Sequence, residues 1–139
     1  MTGGRLPARI PVMNRLRSGW YAKFRNAFRG VALGIRGESS FKVHFFFAAA
    51  VLVAGAALRL PHLSQWCLLL LCIALVLSAE LFNSALERMA RAVSDREDEH
   101  LRAALDVGSA AVLAASLGAA AIGALIFLAR LGELLGWGR

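Results

Sequence analysis

The sequence predicts an all-α integral membrane protein, an N-terminal amphipathic surface helix followed by three transmembrane helices. Three observations carry this. First, 58% of the 139 residues are hydrophobic and the mean hydropathy is +0.60. A soluble domain of this size cannot bury that much apolar surface, so the excess must face lipid. Second, the apolar residues gather into runs at about 43–58, 63–86 and 107–128. Third, the net charge of +7 is concentrated near the N-terminus, in Arg5, Arg9, Arg15, Arg17, Lys23, Arg25, Arg29, Arg36 and Lys42, opposed there by Glu38. That is the pattern of a cytoplasmic flank held against anionic lipid. A nucleic-acid binder could be as basic, but the apolar spans argue against one, and no nucleic-acid partner is expected.

The elements follow in order within a single domain. Residues 1–16 form a basic tail. The region 17–42 holds the interfacial helix. Trp20, Phe24, Ala27, Phe28, Val31 and Ile35 recur with a 3.6-residue period, and Lys23, Arg25, Arg29 and Arg36 take the wetter positions. The three-helix transmembrane region covers 43–130. Its first span, about Val43–Leu58, is short for a crossing helix. Arg59, Pro61 and His62 mark an outer turn, and Trp66 suits an interfacial anchor. The second span runs from about Leu63 to Leu86. A charged connection, Glu87 to Asp106, suits helix extensions around a polar turn. In the third span, about Val107–Leu128, the small residues Ala111, Ala115, Ala119 and Gly123 repeat every four positions, which permits close helix contact. An outer tail of 131–139 follows. The first apolar run starts too late for a secretory signal. Cys67 and Cys72, five apart on one helix, point in different directions and read as apolar filler.

The chemistry concentrates in Glu80-Leu81-Phe82-Asn83-Ser84-Ala85-Leu86-Glu87. On a helix Glu80, Asn83, Ser84 and Glu87 fall at i, i+3, i+4 and i+7, one face. A carboxylate at membrane depth is costly unless paired or bound to an ion, which makes Glu80 a functional candidate before a packing residue. Two carboxylates two turns apart beside an amide suit a base and a divalent-cation ligand at headgroup depth. Asp106 opens the third span, where an acid suits either a helix N-terminus or a site. His44 reads as interfacial packing, and His62 and His100 as turn residues. No His pair has zinc spacing, and no P-loop, nucleophile elbow or dinucleotide fingerprint occurs. Any phosphate handling must therefore use carboxylate-held metal and scattered cations.

Three segments carry a resemblance: Glu38-Ser39-Ser40-Phe41-Lys42-Val43-His44, the Glu80–Glu87 element, and Asp106-Val107-Gly108-Ser109-Ala110-Ala111-Val112-Leu113. In order and separation they resemble the bacterial membrane diacylglycerol kinase and undecaprenol kinase family, over roughly Trp20 to Leu128. The resemblance implies a homotrimeric lipid kinase of the bacterial inner membrane. It would be multi-pass, with its active site at the cytoplasmic face, and would move the γ-phosphate of ATP, with Mg2+, to a lipid hydroxyl. By carry-over Glu80 is the catalytic base, Glu38 and Glu87 hold the metal, and Asn83 and Asp106 belong to the nucleotide site. Ser109, Phe41, Lys42 and Arg29 are expected on the lipid side.

Two positions depart from the family pattern. A lysine expected to contact ATP is replaced by Leu105, and an acid by Arg91. Arg102 lies three residues before Leu105, on nearly the same helical face, and Arg91 adds a second cation. Arginine suits phosphate geometry, so either is expected to take over the contact. Arg102→Ala or Arg91→Ala should raise the Michaelis constant for ATP about tenfold; two unchanged constants would exclude both.

The acceptor signals divide. Asn83-Ser84 and Gly108-Ser109-Ala110-Ala111 are similar to the diacylglycerol kinase branch, and Phe41-Lys42-Val43-His44 to the undecaprenol kinase branch. Diacylglycerol is the expected substrate and undecaprenol the alternative. Two readings from other classes are a repurposed, catalytically impaired membrane scaffold and a small channel using Glu80 as its ion site. The channel would need a polar path that the outer halves of the spans do not offer.

Overall fold

A computed structural model of the chain describes residues 19–36, 39–93 and 98–137. It contains four helices: α1 (Trp20–Ile35), α2 (Ser39–Ala57), α3 (Leu63–Val93) and α4 (Glu99–Leu134), with no strand among the described residues. The chain divides into two units, Met1–Leu33 and Gly34–Arg139.

The first unit holds most of α1. Its large side chains Trp20, Tyr21, Phe24 and Phe28 are exposed. Lys23 Nζ stands 5.2 Å from the Trp20 ring centroid, and the Arg25 guanidinium 6.0 Å from that of Tyr21. An aromatic and cationic helix surface of this kind suits the headgroup layer.

In the second unit α2, α3 and α4 are each long and apolar enough to cross a bilayer. α3 packs most extensively against α4 and less against α2. The helices outrun the expected spans at several ends. α2 begins at Ser39, ahead of Val43. α3 has 31 residues and α4 has 36. At about 1.5 Å per residue these are about 46 and 54 Å long, against a hydrocarbon core of about 30 Å. The end of α3 and the start of α4 therefore emerge together beyond the apolar layer. Hydropathy marks the membrane, whereas the good helix formers of Ala85–Ala92 carry α3 past it.

One expectation needs correction. Asp106 does not cap α4. Asp98 does, its carboxylate accepting the Leu101 N–H at 3.0 Å, which leaves Asp106 two turns inside the helix. Beyond the third span α4 continues to Leu134, and Arg130 ties this end to the bundle. Its Nε donates to the Leu58 carbonyl at 3.0 Å, and its Nη1 pairs with Glu133 at 2.9 Å. A cation on α4 thus covers the negative end of α2.

The α2–α3 turn is closed by a Schellman motif. The Leu60 N–H donates to Gly55 O and the Arg59 N–H to Ala56 O, both at 3.1 Å. Arg59 itself is left-handed, with φ 50. The same motif ends α4, with Gly136 (φ 75) in the corresponding place. Glycine takes this conformation without the Cβ penalty that arginine bears. Arg59→Gly is therefore expected to stabilise the fold by about 0.5–1 kcal/mol, read as a raised thermal midpoint in detergent with turnover unchanged.

Leu60, Leu69 and Ile126 form a buried cluster at this turn end, joined by Val51, Trp66 and Phe127. Below it an apolar groove of about 530 Å³ separates α2 from α4 over the floor of α3. Ala119 and Gly123 of the small-residue repeat line this groove. Among the described residues, nothing outside its own turn of helix lies within 4 Å of the place a Gly123 Cβ would take. The close contact expected there is not made within the chain.

Candidate functional site

The site is built on one turn-and-a-half of α3. Glu80 is 4% exposed, Asn83 8% and Ser84 2%. Such burial of a carboxylate, an amide and a hydroxyl on one face demands polar partners. Asn83 finds one along the helix: its Nδ2 donates to Glu87 Oε1 at 3.0 Å. Glu87 is half-buried, and its Oε2 lies 3.9 Å from Arg91 Nη2, again one turn on. Asn83, Glu87 and Arg91 thus form a polar ladder rising out of the apolar layer. Glu80 turns the other way, across to α2, where its Oε2 lies 3.8 Å from His44 Nε2.

α4 completes the floor. Gly108 sits against Asn83, so that a Cβ there would fall 2.6 Å from Asn83 Oδ1 and 3.1 Å from Leu86 Cδ1. Asn83 Oδ1 and Ser84 Oγ are buried with no hydrogen-bond partner among the described residues. Asn83 therefore presents a fixed amide group whose oxygen has unused acceptor capacity. Asp106 and Ser109 flank Gly108 and are exposed, as is Arg102 one turn earlier; Leu105 is half-buried.

The remaining sequence candidates fall as follows. Lys42 and Arg29 are exposed. Phe41, expected on the lipid side, is 1% exposed within the chain and packs by Phe45 at 6.1 Å between ring centroids. Glu38 lies outside the described residues; before it in the chain, Gly34 and Arg36 contact α3. Gly34 meets Leu81, with 2.7 Å from its would-be Cβ to Leu81 Cδ2 and Phe41 next nearest. Arg88 Nη2 donates to the Arg36 carbonyl at 3.3 Å. Among the described residues no three His, Cys, Asp or Glu side chains converge as a metal cage.

Sequence reasoning missed His44 as a partner of Glu80, and Gly108 as the seat of Asn83. A signal for the first existed. α2 and α3 form an antiparallel pair about a short turn, so residues at similar distances from it come to similar depth. His44 is 13 residues before Ala57 and Glu80 is 17 after Leu63, a difference of about one helical turn.

With this geometry in view, three comparisons bear on the chain. A family model described as prokaryotic diacylglycerol kinase matches residues 25–127. An undecaprenol kinase of Bacillus subtilis is 32% identical over 112 residues, covering 81% of this chain and 90% of that protein. A diacylglycerol kinase of Synechocystis is 32% identical over 113 residues, covering 81% of this chain and 64% of that protein. No solved structure matches.

Proposed function

The chain belongs to the prokaryotic diacylglycerol kinase family, a family of membrane lipid kinases, and from that premise we propose that it transfers the γ-phosphate of ATP to the hydroxyl of diacylglycerol, giving phosphatidic acid. The observation that carries the proposal is Glu80, a carboxylate 4% exposed on a membrane helix, one turn from a buried amide that holds a second carboxylate.

In this reading Glu80 takes the proton of the lipid hydroxyl as its oxygen bonds to the γ-phosphorus. The bond from that phosphorus to the β–γ bridging oxygen breaks, and its electron pair leaves with ADP. Phosphoryl transfer asks the protein chiefly for position and charge neutralisation. The bilayer already sets the depth of a lipid alcohol, and Glu80 lies where the apolar part of α3 ends.

The residues present fit Mg2+. The ion prefers one or two carboxylates, with phosphate and water filling the rest of its shell. Glu87 supplies a carboxylate that Asn83 holds in place, and Asn83 Oδ1 is an unpartnered oxygen beside it. Glu38 is proposed as the second carboxylate from the family resemblance of its segment. Glu87, Asn83 and Glu38 would hold the ion, which would supply charge neutralisation for the transfer. Asp106, Arg102 and Arg91 are assigned to the nucleotide side, and Ser109, Lys42 and Arg29 to the lipid side. The basic N-terminal part supports an active site at the cytoplasmic face of the inner membrane. A homotrimer is proposed from the family.

Undecaprenol is the second reading, favoured by the Bacillus relative that matches over 90% of its length. The test is ATP-dependent phosphate transfer in mixed micelles, with the two lipids offered separately. Transfer to diacylglycerol supports the proposal, transfer to undecaprenol alone replaces the acceptor, and transfer to neither from folded protein with Mg2+ present overturns it.

A further inference from the structure

We propose that His44 is the positioning residue for Glu80, orienting its carboxylate and carrying away the proton it removes from the lipid hydroxyl. This rests on Glu80 being the base. The base must be ionised before each turnover and must lose its proton afterwards. Burial makes both hard, because an uncompensated carboxylate at this depth is costly and has little water to pass a proton to. The nearby amide of Asn83 is oriented by Glu87, to which its Nδ2 donates at 3.0 Å. Across the helices the polar group nearest Glu80 is His44, at 3.8 Å from Oε2 to Nε2.

The two side chains differ in access. That of Glu80 is 5% exposed and that of His44 18%, so the imidazole is the wetter end of the pair. Imidazole can accept a proton on one nitrogen and release one from the other. The balance is simple. The hydroxyl proton goes to Glu80 Oε2, then, once the 3.8 Å pair closes to hydrogen-bond distance, to Nε2 of the neutral imidazole; His44 releases a proton to water and returns to its starting tautomer, which regenerates both groups.

The surroundings leave this role to His44. On α3 the charged group facing it is Glu80. On α2, Lys42 is two residues away and exposed. α4 borders the shared groove with Ser116, Leu117, Phe127 and small apolar residues, and Cys72 is the other titratable side chain on the groove wall among the described residues. A lipid chain lying in that groove would bring its polar end past His44 to Glu80.

The experiment compares His44→Gln, Glu80→Gln and the double variant as full chains in mixed micelles, across about pH 5.5–9, with helix content and thermal midpoint recorded. General-base catalysis contributes about 10²–10⁴-fold. His44→Gln is expected to forfeit part of it, lowering kcat about tenfold or more with the Michaelis constant for ATP unchanged. The shape of the pH profile should differ from that of the native enzyme. His44→Gln should add nothing in the Glu80→Gln background. Imidazole in the buffer should restore part of the turnover of His44→Ala.

A His44→Gln enzyme with native kcat and profile, beside an inactive Glu80→Gln, overturns this proposal and leaves the base assignment standing. A uniform fall at every pH, unrescued by imidazole, makes His44 structural and overturns it too. Activity retained in Glu80→Gln overturns the base assignment, and this proposal with it.

Discussion

Glu80→Gln is expected to abolish phosphate transfer, by about 10²–10⁴-fold in kcat, while the helical bundle stays intact. The substitution keeps the shape and volume of a side chain that is 4% exposed, so it opens no cavity. It removes the negative charge and the acceptor for the hydroxyl proton. The amide can still lie beside His44, as a neutral partner. Stability is therefore expected to change little, or to rise, because a buried charge is exchanged for a neutral group. A Michaelis constant for ATP close to native would place the loss in the chemical step, not in binding. This also separates a kinase from a membrane scaffold built on the same spans, for which Glu80→Gln changes nothing functional. A fall of less than about tenfold would send the search for the base elsewhere.

The reasons this residue was legible from sequence explain what was not. Glu80, Asn83, Ser84 and Glu87 share one helix, so helical period alone puts them on one face. The 3.0 Å bond from Asn83 to Glu87 is an i,i+4 contact of that kind. The three crossings were legible because lipid leaves few alternatives for so many apolar residues. Helix ends were less so. Hydropathy stops at Leu86, whereas α3 continues to Val93 in residues that favour helix but not lipid. Asp106 was misplaced as a possible cap for the same reason, since the polar first turns of α4 precede its apolar part. Contacts between helices were least legible. They depend on the stagger of α2, α3 and α4, which the close turn at Arg59 and the bond from Arg130 to Leu58 help to set. His44 beside Glu80 and Gly108 beneath Asn83 are both of this type. The small-residue repeat of α4 is the converse case. Its spacing permits close contact, yet its groove-lining members leave an opening on α2.

Gly108→Ala is the second large effect expected, and it tests whether the α3–α4 approach holds the site in shape. The added Cβ would stand 2.6 Å from Asn83 Oδ1 and 3.1 Å from Leu86 Cδ1. An exposed amide would swing away at little cost. Asn83 cannot do so freely, because it is 8% exposed and its Nδ2 is bonded to Glu87. Either the helices separate or Asn83 turns and releases Glu87. Overpacking of this kind costs about 1–3 kcal/mol, which should lower the thermal midpoint. Loss of the bond to Glu87 frees the proposed metal-binding carboxylate, so the Michaelis constant for ATP should rise as well. Adding Asn83→Ala to Gly108→Ala separates the two effects. With the amide gone, its clash with the new methyl is relieved and much of the lost stability should return, but Glu87 remains unheld and ATP affinity should stay low. If the double variant regained both stability and affinity, the Asn83–Glu87 bond would have no part in the site. If Gly108→Ala alone were native in both respects, the close approach of α3 and α4 at this point would not constrain the working enzyme.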